Sequence, residues 1–74
     1  MRQVIIEDVV RLKVDVPEQQ LPKGSVGVVC SLWFAPDVAY EVEFHQPGVE
    51  GCSRVLLNDR QFEVENNGPV GLNN

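Results

Sequence analysis

The chain has 74 residues, which is enough for one small domain whose core leaves a narrow margin of stability. Its hydrophobic fraction of 43% is ordinary for a globular protein and argues against disorder along the whole chain. The formal charge of −5 argues against nucleic acid as a ligand, because nucleic-acid binding depends on neutralising phosphates. No apolar run approaches the ~20 residues that cross a bilayer. The start of the chain also lacks the features of a secretory signal, so we expect a cytoplasmic location.

The two cysteines, Cys30 and Cys52, are too few for a disulfide framework. We expect two reduced, partly buried thiols that act as small hydrophobic side chains, with a disulfide or a metal site as the less favoured alternatives. A zinc ion takes about four ligands, and only His45 is available to join the two thiols. The sequence therefore predicts no metal ligand, no cofactor and no catalytic residue.

Alternation of apolar and polar residues predicts a first strand over residues 8–16, which Pro17 ends because proline lacks a backbone donor. Residues 18–24 form a loop, and Leu21 is the one large apolar side chain in it that we expect to fold back onto the core. The residues before the first strand, 2–7, are compatible with an extra edge strand or with a helical turn.

The run from Leu21 to Val29 combines a Pro-Lys-Gly turn with Gly27 inside an alternating strand, which is typical of a tight loop that enters a strongly curved strand. The remaining predicted elements are strands over 25–34, 39–45, 52–57 and 61–64, with one helical turn over 58–60 capped by Asn58 or Asp59. Residues 1–65 then form the domain, and residues 66–74, rich in Asn, Gly and Pro, form a flexible tail.

Five short strands with hairpin loops and a single 3-10 turn before the last strand predict an all-β fold, a small five-stranded SH3-like barrel. Closure of such a barrel buries one apolar side of the sheet and limits its exposed edges. The predicted core consists of Val10, Leu12, Val14, Leu21, Val26, Val28, Cys30, Tyr40, Val42, Phe44, Val55, Leu57 and Phe62.

Three segments, residues 8–18, 21–29 and 39–44, resemble a family of small uncharacterised bacterial proteins that carry a domain of unknown function. The resemblance covers roughly residues 8–64 and agrees in the order and spacing of the loop and its flanking strands. It implies a compact β-rich protein and supplies no activity. The arrangement is also similar, at the level of fold, to KOW-type ribosomal and transcription-factor domains and to the barrel of nitrile hydratase β subunits.

Glu41, Glu43 and His45 alternate along the third strand and therefore share its outward face. A row of two carboxylates and one imidazole is suited to cation binding or to acid–base chemistry. The simpler interpretation is a solvated strand face, which the sequence favours because no nucleophile or zinc motif lies nearby.

Trp33 and Phe34, at the end of the second strand, are candidates for an anchor on a partner protein, although the simpler interpretation of Trp33 is a cap over the open end of the barrel. Asp37 would add to an acidic patch with the two glutamates, and Arg54 would pair with an acidic neighbour or with a carboxylate of the partner. The predicted partner-binding residues are Trp33, Phe34, Asp37, Glu41, Glu43 and Arg54.

The function that the sequence favours is a non-enzymatic protein-binding module, of the antitoxin or immunity-protein type or an accessory subunit. Its partner would be another protein, for which a basic surface would match the acidic charge of this chain, and strand edges would allow self-association. One alternative is a KOW-like nucleic-acid or ribosome-associated factor. It requires five basic side chains to gather on one side, namely Arg11, Lys13, Lys23, Arg54 and Arg60. The other is an accessory subunit of an enzyme of the nitrile hydratase kind, since a barrel of this size has little room for a small-molecule pocket of ~300 Å³.

Overall fold

The computed structural model describes residues 3–48 and 50–65, in which five strands form a single antiparallel sheet. The strands are β1 (Val9–Leu12), β2 (Val26–Trp33), β3 (Ala39–Phe44), β4 (Ser53–Leu57) and β5 (Phe62–Val64). Their order in the sheet is β4-β3-β2-β1-β5, so β4 and β5 lie at its edges. The all-β class and the five strands are confirmed, whereas closure into an SH3-like barrel stays a prediction. The predicted tail over 66–74 lies outside the described residues.

Among the described residues there is one 3-10 turn, Pro17–Gln19. It lies between β1 and β2, and so before the last strand, but far from the position predicted for the turn. Proline suits its first position because the fixed φ is already helical and no amide hydrogen is needed there. The segment before β5 is a hydrogen-bonded turn instead of the predicted helical turn. In it, the amide of Gln61 donates to the Asn58 carbonyl (3.1 Å) and the amide of Arg60 donates to the Asn58 side chain (2.9 Å).

The first strand is shorter than predicted, because the chain bends after Leu12 and no longer alternates along one line. Val14, a predicted core residue, is therefore 40% exposed. Val16 returns to the core by forming an isolated bridge with Leu21, in which the Val16 amide donates to the Leu21 carbonyl at 2.7 Å. Leu21 is 1% exposed, which confirms that the loop folds back onto the core.

The two faces of β2 are reversed relative to the prediction, since Val26 and Val28 are exposed while Gly27 and Val29 are buried. Gly27 lies opposite Phe44, and a Cβ added there would sit 2.7 Å from the Val42 side chain. No larger residue fits in this space without displacing β3. Because Gly27 has no side chain, β3 packs closely against it. Val26 and Val28, which we predicted in the core, therefore lie on the exposed face.

A β-bulge in β2 changes the alternation again at its middle. Val29 pairs with Val42 and Ser31 pairs with Glu41, so Cys30 is the extra residue on β2. Beyond the bulge, Leu32 lies opposite Tyr40 and is partly buried. Cys30, another predicted core residue, is only partly buried, and its sulfur points to the side chain of Glu43 on the other face of the sheet.

The predicted inner residues of β3, β4 and β5 are confirmed. Tyr40 is partly buried and packs edge-on against Phe62, with the ring centroids 5.3 Å apart. Before β1, the chain forms a turn that the buried Asp8 closes by accepting a hydrogen bond from the Ile5 amide (2.9 Å). The buried core comprises Val10, Leu12, Val16, Leu21, Val29, Val42, Phe44, Val55, Leu57 and Phe62. No helix within the described ranges is long and apolar enough to cross a membrane.

Candidate functional site

The outer face of the sheet, defined as the side opposite the core, carries four of the six residues predicted to bind a partner. Strand register aligns these residues in neighbouring rows, because side chains of paired residues lie on the same side of a sheet. The rows are Val28–Glu43–Arg54, Ser31–Glu41–Leu56 and Trp33–Ala39. The prediction that Glu41 and Glu43 share an outward face with Arg54 nearby is therefore consistent with the strand pairing.

Aromatic side chains lie exposed where β2 ends. Trp33 is 50% exposed and Phe34 is 66% exposed, and neither packs in the core. Exposure of Trp33 disfavours the alternative that it caps the open end of the sheet. Asp37 lies in the exposed turn between β2 and β3, outside the register rows but next in sequence to Val38, which is half exposed.

Glu41 lies on β3 and Arg54 on the edge strand β4, and both side chains are on the outer face. The hydroxyl of Ser31 donates to the Glu41 carboxylate at 2.7 Å, and Leu56, opposite Glu41, is more than half exposed. Arg54 lies opposite Glu43, and its positive charge contributes to a lowered pKa of that carboxyl group. Apolar and charged side chains therefore lie beside one another on this face, on adjacent strands.

Three potential metal ligands meet at one end of β3. We call Glu43, His45 and Cys52 the Glu43 cluster, since one ligand atom from each lies within 4.8 Å of the others. The thiol of Cys52 donates to Glu43 Oε2 at 2.7 Å, and His45 Nε2 lies 3.4 Å from the same oxygen. The thiol of Cys30 donates to the other carboxylate oxygen, Oε1, at 3.5 Å.

Hydrogen bonding within this group changes its acidity. The bond from Cys52, and then that from Cys30, lowers the pKa of the Glu43 carboxyl group by stabilising its charge. The bond to Glu43 raises the pKa of the Cys52 thiol, while partial burial followed by the bond to Glu43 raises that of Cys30. The bond to Glu43 thus favours the protonated form of Cys52, and burial followed by the bond to Glu43 favours that of Cys30.

Reasoning from sequence found the Glu43–His45 pair and missed the cysteines beside it. Both cysteines are free, as predicted, and Cys30 is partly buried although it lies outside the core; Cys52 is exposed, where we predicted partial burial. Cys52 reaches the cluster through the pairing of β3 with β4, in which Phe44 lies opposite Ser53 and the residue before Ser53 then falls beside His45; the sequence carries no local signal for this register. The contact of Cys30 depends on the bulge in β2, for which the sequence has no local signal.

A second group of charges joins β1 to the residue that follows β5. The guanidinium of Arg11 donates to both carboxylate oxygens of Glu65, at 3.0 and 3.1 Å, and to the carbonyl of Gly24 at 3.1 Å. The hydrogen bond between them raises the pKa of Arg11 and lowers that of Glu65. The charge of Arg11 is thereby balanced within the molecule.

A cleft of about 610 Å³ lies between the loop after the 3-10 turn and the end of β3, and it is larger than the pocket that we expected a domain of this size to hold. His45 lies on its wall, so the Glu43 cluster adjoins it. The lining residues are Gln20, Leu21, Pro22, Ser25, Val26, Phe44, His45, Gln46 and Pro47. Lack of space is therefore not an argument against a small ligand.

Comparison with curated proteins and with solved structures finds no match. A family model does match residues 6–64, which include all five strands and the Glu43 cluster. The chain thus belongs to the family described as Domain of unknown function (DUF4926).

Proposed function

We propose that this protein is a non-enzymatic protein-binding module and that the outer face of the sheet docks a basic partner protein. The observation that supports this most is the register of that face, which aligns exposed Val28, Trp33 and Leu56 with Glu41 and Glu43. Aromatic and aliphatic anchors beside charged groups are the usual composition of a protein interface. A small antitoxin, immunity protein or accessory subunit would bind its partner through such a surface.

Charge indicates the kind of partner. The outer face carries four carboxylates, on Glu41, Glu43, Glu63 and Glu65, against the guanidiniums of Arg11 and Arg54. The whole chain has a net charge of −5 as well. Complementary charge accelerates encounter and selects among partners, so a basic surface is the best match.

The arrangement of cations does not favour the nucleic-acid alternative. Arg11 is on β1 and is engaged by Glu65, whereas Arg54 is on β4 and lies opposite Glu43. Two strands separate β1 from β4, which places the two side chains about 14 Å apart at usual strand spacing. A continuous basic track along the outer face would require these residues to lie together and unpaired.

Capture of the partner tests the proposal. The tagged protein is purified at low salt from cells of its source, with and without nuclease, and bound proteins are quantified. We expect one protein to be captured in stoichiometric amount both with and without nuclease. Its interface should bury about 800 Å² on each side. Loss of all bound material on nuclease treatment would favour the nucleic-acid alternative, and recovery of the protein alone would reject the proposal.

Charge reversal then tests the surface with the captured protein. The double variant Glu41→Lys/Glu43→Lys is expected to weaken binding at least about tenfold, with a reduced dependence on salt, because it replaces attraction by repulsion. The matched control is Glu18→Lys, which reverses a charge on the 3-10 turn, away from the sheet rows. Equal affinities for both variants would remove the acidic part of the outer face from the interface.

A further inference from the structure

We propose that Glu43, His45 and Cys52 form a binding site for a single Zn²⁺ ion, with the fourth coordination position open to solvent or to a further ligand. The inference does not depend on the proposed partner, because all three groups belong to this chain. It starts from the juxtaposition of a carboxylate, an imidazole and a thiol at the end of β3, with all ligand atoms within 4.8 Å of one another.

One distance in the Glu43 cluster matches a tetrahedral zinc site, and a second would match after a small movement of the Cys52 side chain. Zinc bonds of about 2.3 Å to sulfur and about 2.0 Å to nitrogen or oxygen place tetrahedral ligands roughly 3.3–3.6 Å apart. His45 Nε2 lies 3.4 Å from Glu43 Oε2, as such a site requires. Cys52 Sγ is 2.7 Å from that oxygen, so the thiol must retreat by about 0.8 Å when the metal enters. The exposed side chain of Cys52, just before β4, allows this adjustment.

The chemical types of the three ligands indicate which metal ion the site would bind. A thiolate and an imidazole favour zinc and other late transition metals over magnesium or calcium, which prefer oxygen ligands alone. On binding, the thiol of Cys52 releases its proton to solvent and the sulfur forms the bond to zinc. Glu43, already ionised between two thiols, supplies the carboxylate. Three protein ligands with one open position is the arrangement of zinc sites that bind a water or another ligand.

A disulfide between Cys30 and Cys52 does not fit the distance between their Cα atoms. Cys30 lies in β2 and Cys52 precedes β4, so β3 runs between them and their Cα atoms are at least about 9 Å apart at usual strand spacing. Bridged cysteines need Cα atoms closer than about 7 Å. Cys30, which contacts the opposite carboxylate oxygen, lies outside the group of three ligands and provides a matched control thiol.

The test uses the full chain without an affinity tag. The chain has only one histidine and two cysteines of its own, and a tag would add further metal ligands. Zinc affinity is measured by competition with a coloured chelator, and Co²⁺ is added separately as a spectroscopic probe. We expect one ion per chain, a sulfur-to-cobalt charge-transfer band, and strong visible bands of tetrahedral cobalt. The variants are Cys52→Ser, His45→Gln and the control Cys30→Ser, each checked for folding by circular dichroism.

Loss of the charge-transfer band in Cys52→Ser, together with zinc binding weakened by roughly 10–100-fold or more in both ligand variants, would support the site. Cys30→Ser should keep the band and the affinity. Absence of binding, equal binding by all variants, or loss of the band in Cys30→Ser but not in Cys52→Ser would overturn it. If Cys52→Ser does not fold, proton NMR of the single imidazole during zinc titration decides, because His45 signals must shift and saturate at one equivalent.

Discussion

At the scale of single residues, Gly27 determines which face of β2 enters the core. Its Cα lies against Val42 and Phe44, and even a methyl group there would come within 2.8 Å of Phe44. Close contact at this position turns Val29 inward and leaves Val28, the preceding residue, on the outer face.

This orientation predicts opposite outcomes for two neighbouring valines. Val29→Ala should lower the free energy of unfolding by about 2 kcal/mol or more, because the side chain is 1% exposed and its removal leaves a cavity. Val28→Ala, the control, should change it by less than about 0.5 kcal/mol. Urea unfolding of the two variants measures both values. A larger loss for Val28→Ala would mean that the strand has the opposite orientation.

The ion pair between Arg11 and Glu65 predicts that the free energy of unfolding changes with pH in the acid range. Because the hydrogen bond from Arg11 lowers the pKa of Glu65 below its ordinary 4.5 in the folded state, the pair stabilises the protein above pH 4.5. The stabilisation is lost as the pH falls through the folded pKa. Unfolding at a series of pH values should therefore show that the parent exceeds Glu65→Gln in stability near neutrality and that the difference shrinks below pH 4.5. A difference in stability between Glu65→Gln and the parent that does not change with pH would contradict this prediction.

At the scale of elements, the long connection between β1 and β2 is held to the sheet by Val16 and Leu21. Both side chains are buried, and their backbones exchange two hydrogen bonds at 2.7 and 3.1 Å. A segment that contributes two core side chains is part of the folded unit and not a passive loop.

Truncation of Leu21 tests this role. Leu21→Ala should lower the free energy of unfolding by about 2–5 kcal/mol, the range for large-to-small changes in a core. Val38→Ala, in the half-exposed turn between β2 and β3, is the control and should cost less than about 0.5 kcal/mol. Thermal unfolding followed by circular dichroism compares them, and a cost for Leu21→Ala as small as that of the control would show that the connection is not packed.

How far the sequence predicts these elements depends on whether one face of a strand is clearly polar. The third strand alternates cleanly around Glu41 and Glu43, so its position and orientation follow from period-two patterning. The second strand has apolar residues on both sides, and patterning alone does not distinguish its faces. Contact of Gly27 with β3 and the bulge at Cys30 decide the orientation, and both depend on a strand that is distant in sequence.

The same reason limits prediction of the candidate site. Glu43 lies on β3 and His45 follows two residues later, just beyond the end of that strand, so their proximity is a local property of the sequence. Cys52 joins them through pairing of β3 with β4, and Cys30 approaches from β2. Three strands thus contribute to one group of side chains, and the sequence by itself does not report their register.

At the scale of the whole molecule, the sheet separates two roles. Its inner face holds the apolar core of the domain, while its outer face presents Trp33, Leu56 and an excess of carboxylates. The Glu43 cluster lies on that outer face next to the cleft, so zinc binding and partner binding would occur on one side of the protein. The central claim of this account is that the outer face is the functional surface.

The most direct measurement is quantitative mass spectrometry of proteins captured by the parent and by two single variants. Trp33→Ala removes the exposed aromatic side chain from the outer face, and Val14→Ala removes an exposed valine from the bend after β1. We predict that the stoichiometric partner is reduced at least about tenfold with Trp33→Ala, as for an aromatic hot spot, and is unchanged with Val14→Ala. Retention of the partner by Trp33→Ala, with loss in Val14→Ala, would contradict the assignment of function to the outer face.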